Sequence, residues 1–441
     1  MSQSINLYKQ LLNHKLFNKS VKFGLKRIKL ALSLLGNPER KLNNVINVLG
    51  ESGKFTTLWT LKNFIEANNQ TVSTYISPSL QDIRERFYMG KRYLTYKEIK
   101  DTIKEIEKLK IPLSVFEVLT LVYIINASKQ SVDYCLCEVG ALFRLDTTNI
   151  FDWPLAQVVT NINLQHKIFL KKKTLDEIIK EDVGSLNNFS KIFIGKQTPY
   201  VLKKIKGHLK KNKSKIHYPN SWKLTKKNGL YYYRDKSTTI KLNAKNVCSE
   251  GMFSNIAHAV KIALNFNISK KVIVKTLPKL SFPGRFNYLK KGRIKKMLHK
   301  NELIMIDGAH SPYDAKNLYN YLKTIKLPKY GIWAMTKNKE PYLFIKELKN
   351  VFQKIVTLPI ENENGSESAD KLNKIAARHF PGDDRESRDK RFDFSFDMAQ
   401  RAGVDESLKE GIIQQMEAEK ILRDEFFRVK ELRAQGKATD E

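Results

Sequence analysis

The stretch Val45-Ile46-Asn47-Val48-Leu49-Gly50-Glu51-Ser52-Gly53-Lys54-Phe55-Thr56-Thr57 constrains this chain more than any other. An apolar run stops at a glycine and is followed by Gly-Lys-x-Thr, the pattern of a buried parallel strand that turns sharply into a helix. Glycines let backbone N–H groups approach an anion, Lys54 supplies a positive charge, and a helix N-terminus at Thr56 completes a phosphate cradle. The expected ligand is a nucleoside triphosphate. The spacing is not that of the common P-loop, because Val48 stands where its first glycine would fall and one residue separates Lys54 from Thr56. An ordinary strand-to-helix turn reads the same way locally, so the remaining groups must be sought elsewhere in the chain.

A chain of 441 residues exceeds one ordinary domain and suggests two or three. Cys135, Cys137 and Cys248 form no CxxC pair and outline no disulfide or zinc framework, which points to a reducing cytoplasm. The apolar run Val115 to Ala127 is interrupted by Glu117 and is too short to span a bilayer, so no membrane partner is expected. A net charge of +34 raises the question of nucleic acid. The lysines are spread along the whole chain without an aromatic-interleaved recognition motif, so nucleic-acid binding is not expected, and the field serves to collect anionic small molecules.

Strand-like runs alternate with helical patterns, which predicts α/β units on a mainly parallel sheet. Strands are expected over Val72–Ile76, Val132–Cys137 and Ala156–Ile162, and a helix over Thr95–Leu109. Ser77, Glu138 and His166 then fall just past strand ends, on the sheet edge that carries Gly53-Lys54, where open α/β sheets collect ligands. Taken singly, Glu138 also reads as a helix cap and His166 as a satisfied loop histidine.

The ordered set of motifs resembles the folylpolyglutamate synthase and dihydrofolate synthase family of the Mur ligase superfamily, over roughly residues 15 to 375. Gly50 to Thr56 is similar to the family's GTNGKGS loop, Tyr75 to Leu80 to YTSPHL, Phe116 to Thr120 to FExLT, and Glu138 to Asn149 to EVGLGGRLDATN. Asn161 to His166 is similar to SIGLDH, Pro283-Gly284-Arg285 to PGR, and Asp307 to Pro312 to DGAHNP. Later, Met335 to Lys339 and Pro359 to Asn364 resemble GMxxDKD and PxxNEN.

The resemblance implies a Mur ligase-like P-loop ATPase domain with a mainly parallel sheet over residues 1–280 and a smaller Rossmann-like domain over 281–380. The hinge is expected near Ser281 to Arg285, and the strands of the second domain at Leu303–Ile306, Tyr330–Ala334 and Lys354–Thr357. The implied reaction is ATP-dependent amide formation, adding L-glutamate to dihydropteroate or a folate, with ATP and Mg²⁺ as cofactors in a cytoplasmic monomer. By the same resemblance Gly50, Glu51, Ser52, Gly53, Lys54, Phe55 and Thr56 hold phosphates, and Asn255, Arg285, Asp307 and His310 bind the nucleotide from across the cleft. Thr56, Ser77, Glu138, His166 and Asp182 are the implied metal ligands, and Lys54, Glu138, His166 and Arg285 the catalytic set.

The chain departs from the family pattern at informative places. Glu51-Ser52 replaces Thr-Asn, Phe55 replaces glycine, Ser79 replaces histidine, Gln165 replaces aspartate, and Asp182 stands where the family has a carbamylated lysine. A divergent, weakly active or noncatalytic binder of nucleotide or folate is the alternative reading, with a basic nucleic-acid-binding protein behind it. Residues 381–441 carry 12 basic against 16 acidic residues, a local charge of 12 − 16 = −4. They are expected to form a partly disordered tail with an amphipathic helix over Asp405 to Arg433.

Overall fold

The computed structural model describes residues 2–17, 23–292, 301–360 and 365–380, with 295, 296, 298 and 363 between them. The expected tail helix over 405–433 and part of the Pro359–Asn364 motif lie outside the described residues. Two N-terminal helices, α1 (Ser2–Asn13) and α2 (Lys26–Leu34), lead into β1 (Val45–Leu49), all five of whose residues are buried. Next come α3 (Lys54–Ala67), β2 (Val72–Tyr75), β3 (Phe87–Met89), α4 (Tyr96–Glu107) and α5 (Val115–Ala127). Both α4 and α5 begin with a capping box, Thr95 with Glu98 and Ser114 with Glu117, which satisfies amides at the helix start. Then follow β4 (Tyr134–Glu138), β5 (Ala156–Val159), α6 (Leu175–Val183), β6 (Lys191–Ile194), α7 (Pro199–His208) and β7 (Ile216–His217).

These strands form one seven-stranded sheet in the order β3-β2-β4-β1-β5-β6-β7, in which only β3 runs antiparallel. Its central strands β1, β2 and β5 are buried at every residue, as in a sheet covered on both faces. With β1 central, the loops after β1, β2, β4, β5 and β6 all emerge at one edge.

Beyond the sheet, β8 (Trp222–Lys227), β9 (Leu230–Asp235) and β10 (Thr239–Lys241) make an antiparallel meander. They are followed by α8 (Glu250–Asn265) and α9 (Lys270–Thr276). The C-terminal part contains β11 (Asn287–Tyr288), β12 (Met305–Ile306), α10 (Pro312–Leu322), β13 (Tyr330–Trp333), α11 (Pro341–Glu347), β14 (Lys354–Thr357) and α12 (Ala369–Ala377). Here β13 and β14 pair in parallel, as βαβ connections through helices demand. One buried apolar cluster runs from Ile46 and Val48 through α8 to Leu372 and Ala376, so packing continues across residue 280.

Several expectations about element bounds are corrected. The helix of the phosphate loop starts at Lys54, two residues before Thr56, because Gly53 at φ 95° breaks the strand direction in one step. The strand expected over Val132–Cys137 runs instead over Tyr134–Glu138, since the Asp133 carboxylate turns aside to accept the Thr71 N–H. The strand expected to reach Ile162 ends at Val159. After it, Asn161 O turns back to accept the N–H groups of Glu51 and Ser52. Lys203 to Lys215, which reads from sequence as part of a basic strand-and-turn excursion, is helical up to His208, the end of α7. The strand expected over Leu303–Ile306 shortens to Met305–Ile306 and pairs antiparallel with β11, not with β13. Among the described residues no helix is long and apolar enough to cross a membrane.

Candidate active site

A cleft of ≈ 1630 Å³ opens at the C-terminal edge of the large sheet and is closed on its far side by the C-terminal part. Its walls include Glu51, Lys54, Thr56, Ser77, Glu138 and His166 from the sheet edge, Asn255 from α8, and Arg285, Asp307 and His310 from beyond residue 280. Segments separated by more than two hundred positions in the sequence thus face one another across one space.

The phosphate loop is built around its glycines. Gly50 has φ 104°, and a Cβ there would come within 2.7 Å of Thr160 Oγ1 and 3.1 Å of Thr160 O. A Cβ on Gly53 would press into the Asn255 side chain at 2.3 Å, so the bare glycine lets α8 approach the loop. The start of α3 is left with amides free of intrahelical partners and a positive dipole end, as an anion site requires. Lys54 is buried, and its Nζ donates to Gly50 O at 2.7 Å and Glu51 O at 3.3 Å.

The two departures from the family loop each have a partner. Glu51, whose side chain is 1% exposed, places Oε2 2.6 Å from His166 Nδ1, an ion-pair distance without the alignment of a hydrogen bond. Burial pushes the pKa of this carboxyl up, but His166, Lys54 and Lys339 outweigh that and leave it lowered. Ser52 Oγ donates to Asp314 Oδ1 at 2.9 Å and accepts from Asn163 Nδ2 at 3.0 Å. Asp314 lies in the first turn of α10, and neither it nor Lys339 was singled out among the site residues expected from sequence. The only sequence signal was their place within or beside the Asp307–Pro312 and Met335–Lys339 segments.

Glu138 ends β4 and is wholly buried; its Oε2 accepts the Ser77 N–H at 3.1 Å. Burial raises its pKa, against the charges of Lys54, Arg285 and Arg86 and the Ser77 hydrogen bond. Across the cleft, Asp307 accepts the N–H groups of Phe286 and Ala309, both at 2.8 Å, and burial raises its pKa too. The cap of α10 is Ser311. Burial lowers the pKa of His310, whose Nδ1 lies 2.8 Å from Gly308 O. Arg285 Nη1 donates to Gly284 O at 3.0 Å, and its guanidinium stands 5.8 Å from the Phe55 ring centroid. Phe55 therefore faces the cleft beside an arginine, where the family pattern has no side chain.

Asp182 does not join the cleft lining. It is 1% exposed, accepts the Phe143 N–H through Oδ1 at 3.4 Å and leaves Oδ2 without a partner. Burial, followed by the charge of Glu51, raises its pKa well above the ordinary range. Among the described residues no group of three or more His, Cys, Asp or Glu side chains is arranged to hold a metal ion. Of the five expected metal ligands, Thr56, Ser77, Glu138 and His166 line the cleft, His166 is engaged with Glu51, and Asp182 is outside the lining.

No protein-family model matches the chain. The chain is 26% identical over 324 residues to a dihydrofolate synthase/folylpolyglutamate synthase of Buchnera aphidicola, covering 72% of this chain and 75% of that protein. It is likewise 26% identical over 361 residues to the Escherichia coli protein of the same name, 80% of this chain and 81% of the relative. The chain is thus similar, over most of its length, to proteins named dihydrofolate synthase/folylpolyglutamate synthase. The same fold is seen in the Yersinia pestis bifunctional folylpolyglutamate synthase/dihydrofolate synthase complexed with AMPPNP and Mn ion. That structure superposes with a TM-score of 0.72 at 24% identity, over 86% of this chain and 88% of the other. In this chain the carboxylate and the hydroxyl of the phosphate loop are both engaged by neighbouring side chains.

Proposed function

We propose that this chain is an ATP-dependent amide ligase that adds L-glutamate to dihydropteroate or to a folate by way of an acyl phosphate. One observation carries the reading: Lys54, Glu138 and His166 from the sheet edge and Arg285, Asp307 and His310 from beyond residue 280 line a single cleft. Such chemistry asks a protein for positioning and for charge stabilisation in a space closed to water.

The roles follow from the groups present. The loop from Gly50 to Thr56 and the start of α3 would receive the phosphates, with Lys54 and Arg285 offsetting charge on opposite sides. Asn255, Asp307 and His310 would hold the remainder of the nucleotide. Mg²⁺ is ordinarily held by one or two carboxylates together with phosphate oxygens and water rather than by an all-protein cage. The donor set suits that mode, with Glu138 as carboxylate and Thr56 and Ser77 as hydroxyls. Bound there, the ion would neutralise phosphate charge. His166 and Asp182 would come second, since one is paired with Glu51 and the other lies outside the cleft wall.

The test is ADP release with Mg-ATP, L-glutamate and either dihydropteroate or tetrahydrofolate, set against Lys54→Ala. Glutamate-dependent turnover is expected with at least one acceptor, and its loss by about a hundredfold or more in the variant, as for removal of a preorganised charge-stabilising group. Wild-type release no greater than that of Lys54→Ala would reject the ligase. Thermal stabilisation by nucleotide without turnover would favour the noncatalytic binder.

A further inference from the structure

We infer that Asp314 is a positioning residue, which with Ser52 forms the joint that registers the C-terminal part on the phosphate loop. The kinetic side of this inference rests on the ligase reading; the joint itself does not.

A serine hydroxyl offers one hydrogen and two lone pairs. All three are used at Ser52, which donates to Asp314 Oδ1 at 2.9 Å and accepts from Asn163 Nδ2 at 3.0 Å and Gln165 Nε2 at 3.3 Å. Those amides are themselves fixed, Gln165 Nε2 donating to Asn163 Oδ1 at 2.9 Å and Asn163 Nδ2 to Asn161 Oδ1 at 3.0 Å. Asn161 O in turn accepts the backbone N–H groups of Glu51 and Ser52. The loop is thus held on one side by the segment after β5 and on the other by Asp314.

Asp314 is fixed as firmly from its own side. Its N–H donates to Ser311 Oγ at 3.2 Å, and Ser311 Oγ donates to Asp314 Oδ2 at 2.7 Å, so the helix cap orients the carboxylate. Its position in the first turn of α10 also places the negative charge at the favourable end of the helix dipole. Among the described residues it has no ion-pair partner, so Oδ1 is committed to Ser52 and not to a neighbouring lysine. A shift of α10 is therefore transmitted to the residue between Glu51 and Gly53. Displacement of reacting groups by about 1 Å can cost on the order of a hundredfold in rate.

The experiment is a double-mutant cycle on the full chain with Ser52→Ala, Asp314→Ala and the pair, plus Asp314→Asn, which keeps an acceptor oxygen. Each alanine variant is expected to lower the thermal transition, and the pair to fall no further than the worse single variant. Glutamate-dependent kcat should drop about tenfold in each, the low end for a hydrogen bond to a charged group, with the KM for ATP within about twofold. Asp314→Asn should recover most of the loss. Additive shifts, or none, in the thermal cycle would overturn the joint. Thermal coupling with kcat unchanged would overturn the positioning role. A wild-type chain without glutamate-dependent turnover would sink the ligase reading instead, and the thermal cycle would still decide the joint.

Discussion

Glu51 Oε2 stands 2.6 Å from Nδ1 of His166, and this contact keeps a carboxylate beside a loop built to receive phosphates. The pairing explains how the chain tolerates a residue that ought to repel its ligand. Tolerance is not complementarity, however, because the Glu51 carboxylate still stands beside the loop. Glu51→Gln removes that charge while keeping the side-chain shape. The KM for ATP should fall by about fivefold, the equivalent of roughly 1 kcal/mol of relieved repulsion, with kcat little changed. A KM that rises severalfold would mean that Glu51 helps to hold a cation, and the repulsion argument would be abandoned.

Gly50 gives a prediction that rests on backbone geometry alone. At φ 104° an L-residue is strained whatever space surrounds it, and here the added Cβ would also meet the Thr160 backbone carbonyl at 3.1 Å. Gly50→Ala should cost on the order of 1–3 kcal/mol of stability. It should also weaken ADP binding more than the same change at Gly229, a positive-φ turn glycine with nothing within 4 Å of its would-be Cβ. Equal effects at the two positions, read by thermal unfolding and ADP titration, would remove the case for a close-packed loop.

His258 sets a pH dependence. It is buried in α8, neither ring nitrogen has a hydrogen-bond partner of acceptable geometry, and burial lowers its pKa to about 3. Between that value and the ordinary histidine value of about 6.5 the unfolded chain takes up a proton that the folded chain refuses. Stability contributed by this site is therefore full above about pH 6.5 and lost as the pH falls below it, with a limiting slope of about 1.4 kcal/mol per pH unit. His258→Gln should flatten the unfolding free energy against pH between 4 and 6 relative to the wild type. Parallel curves would show that the imidazole does take up the proton in the folded state.

Much of the site was legible because its residues are tied to strand ends. Glu138 follows three buried strand residues and Lys54 follows the loop of β1, so a parallel sheet is enough to bring both to one edge. The contacts around Ser52 were not legible. Nothing in a Ser-Pro-Tyr-Asp run says that the aspartate reaches Ser52, since that depends on how α10 is set against the loop. Asp182 is a separate case: its place in the motif order implies a metal ligand, and the fold buries it outside the cleft lining. Strand bounds failed where a side chain or a carbonyl competes with the ladder, as Asp133 and Asn161 do.

Arg285 offers the sharpest separation of catalysis from folding. Its Nη1 is held by its neighbour's carbonyl at 3.0 Å, and Gly308 makes room for it, since a Cβ there would lie 2.6 Å from the same atom. Among the described residues it forms no ion pair, so little of the fold depends on its charge. What the guanidinium does face is the cleft, with the Phe55 ring 5.8 Å away on the other wall. Arg285→Ala should lower glutamate-dependent kcat by about a hundredfold or more, the scale for deleting one preorganised charge-stabilising group. Unfolding should change by no more than about 0.5 kcal/mol, as for a substitution outside the core. Arg285→Lys should recover only part of the rate, because an ammonium lacks the planar fork that binds phosphate oxygens in pairs and stacks on an aromatic face. A variant that loses stability in step with activity would instead make this arginine an interdomain strut, and the two-sided grip on the phosphates would have to be reassigned to Lys54 and Lys339.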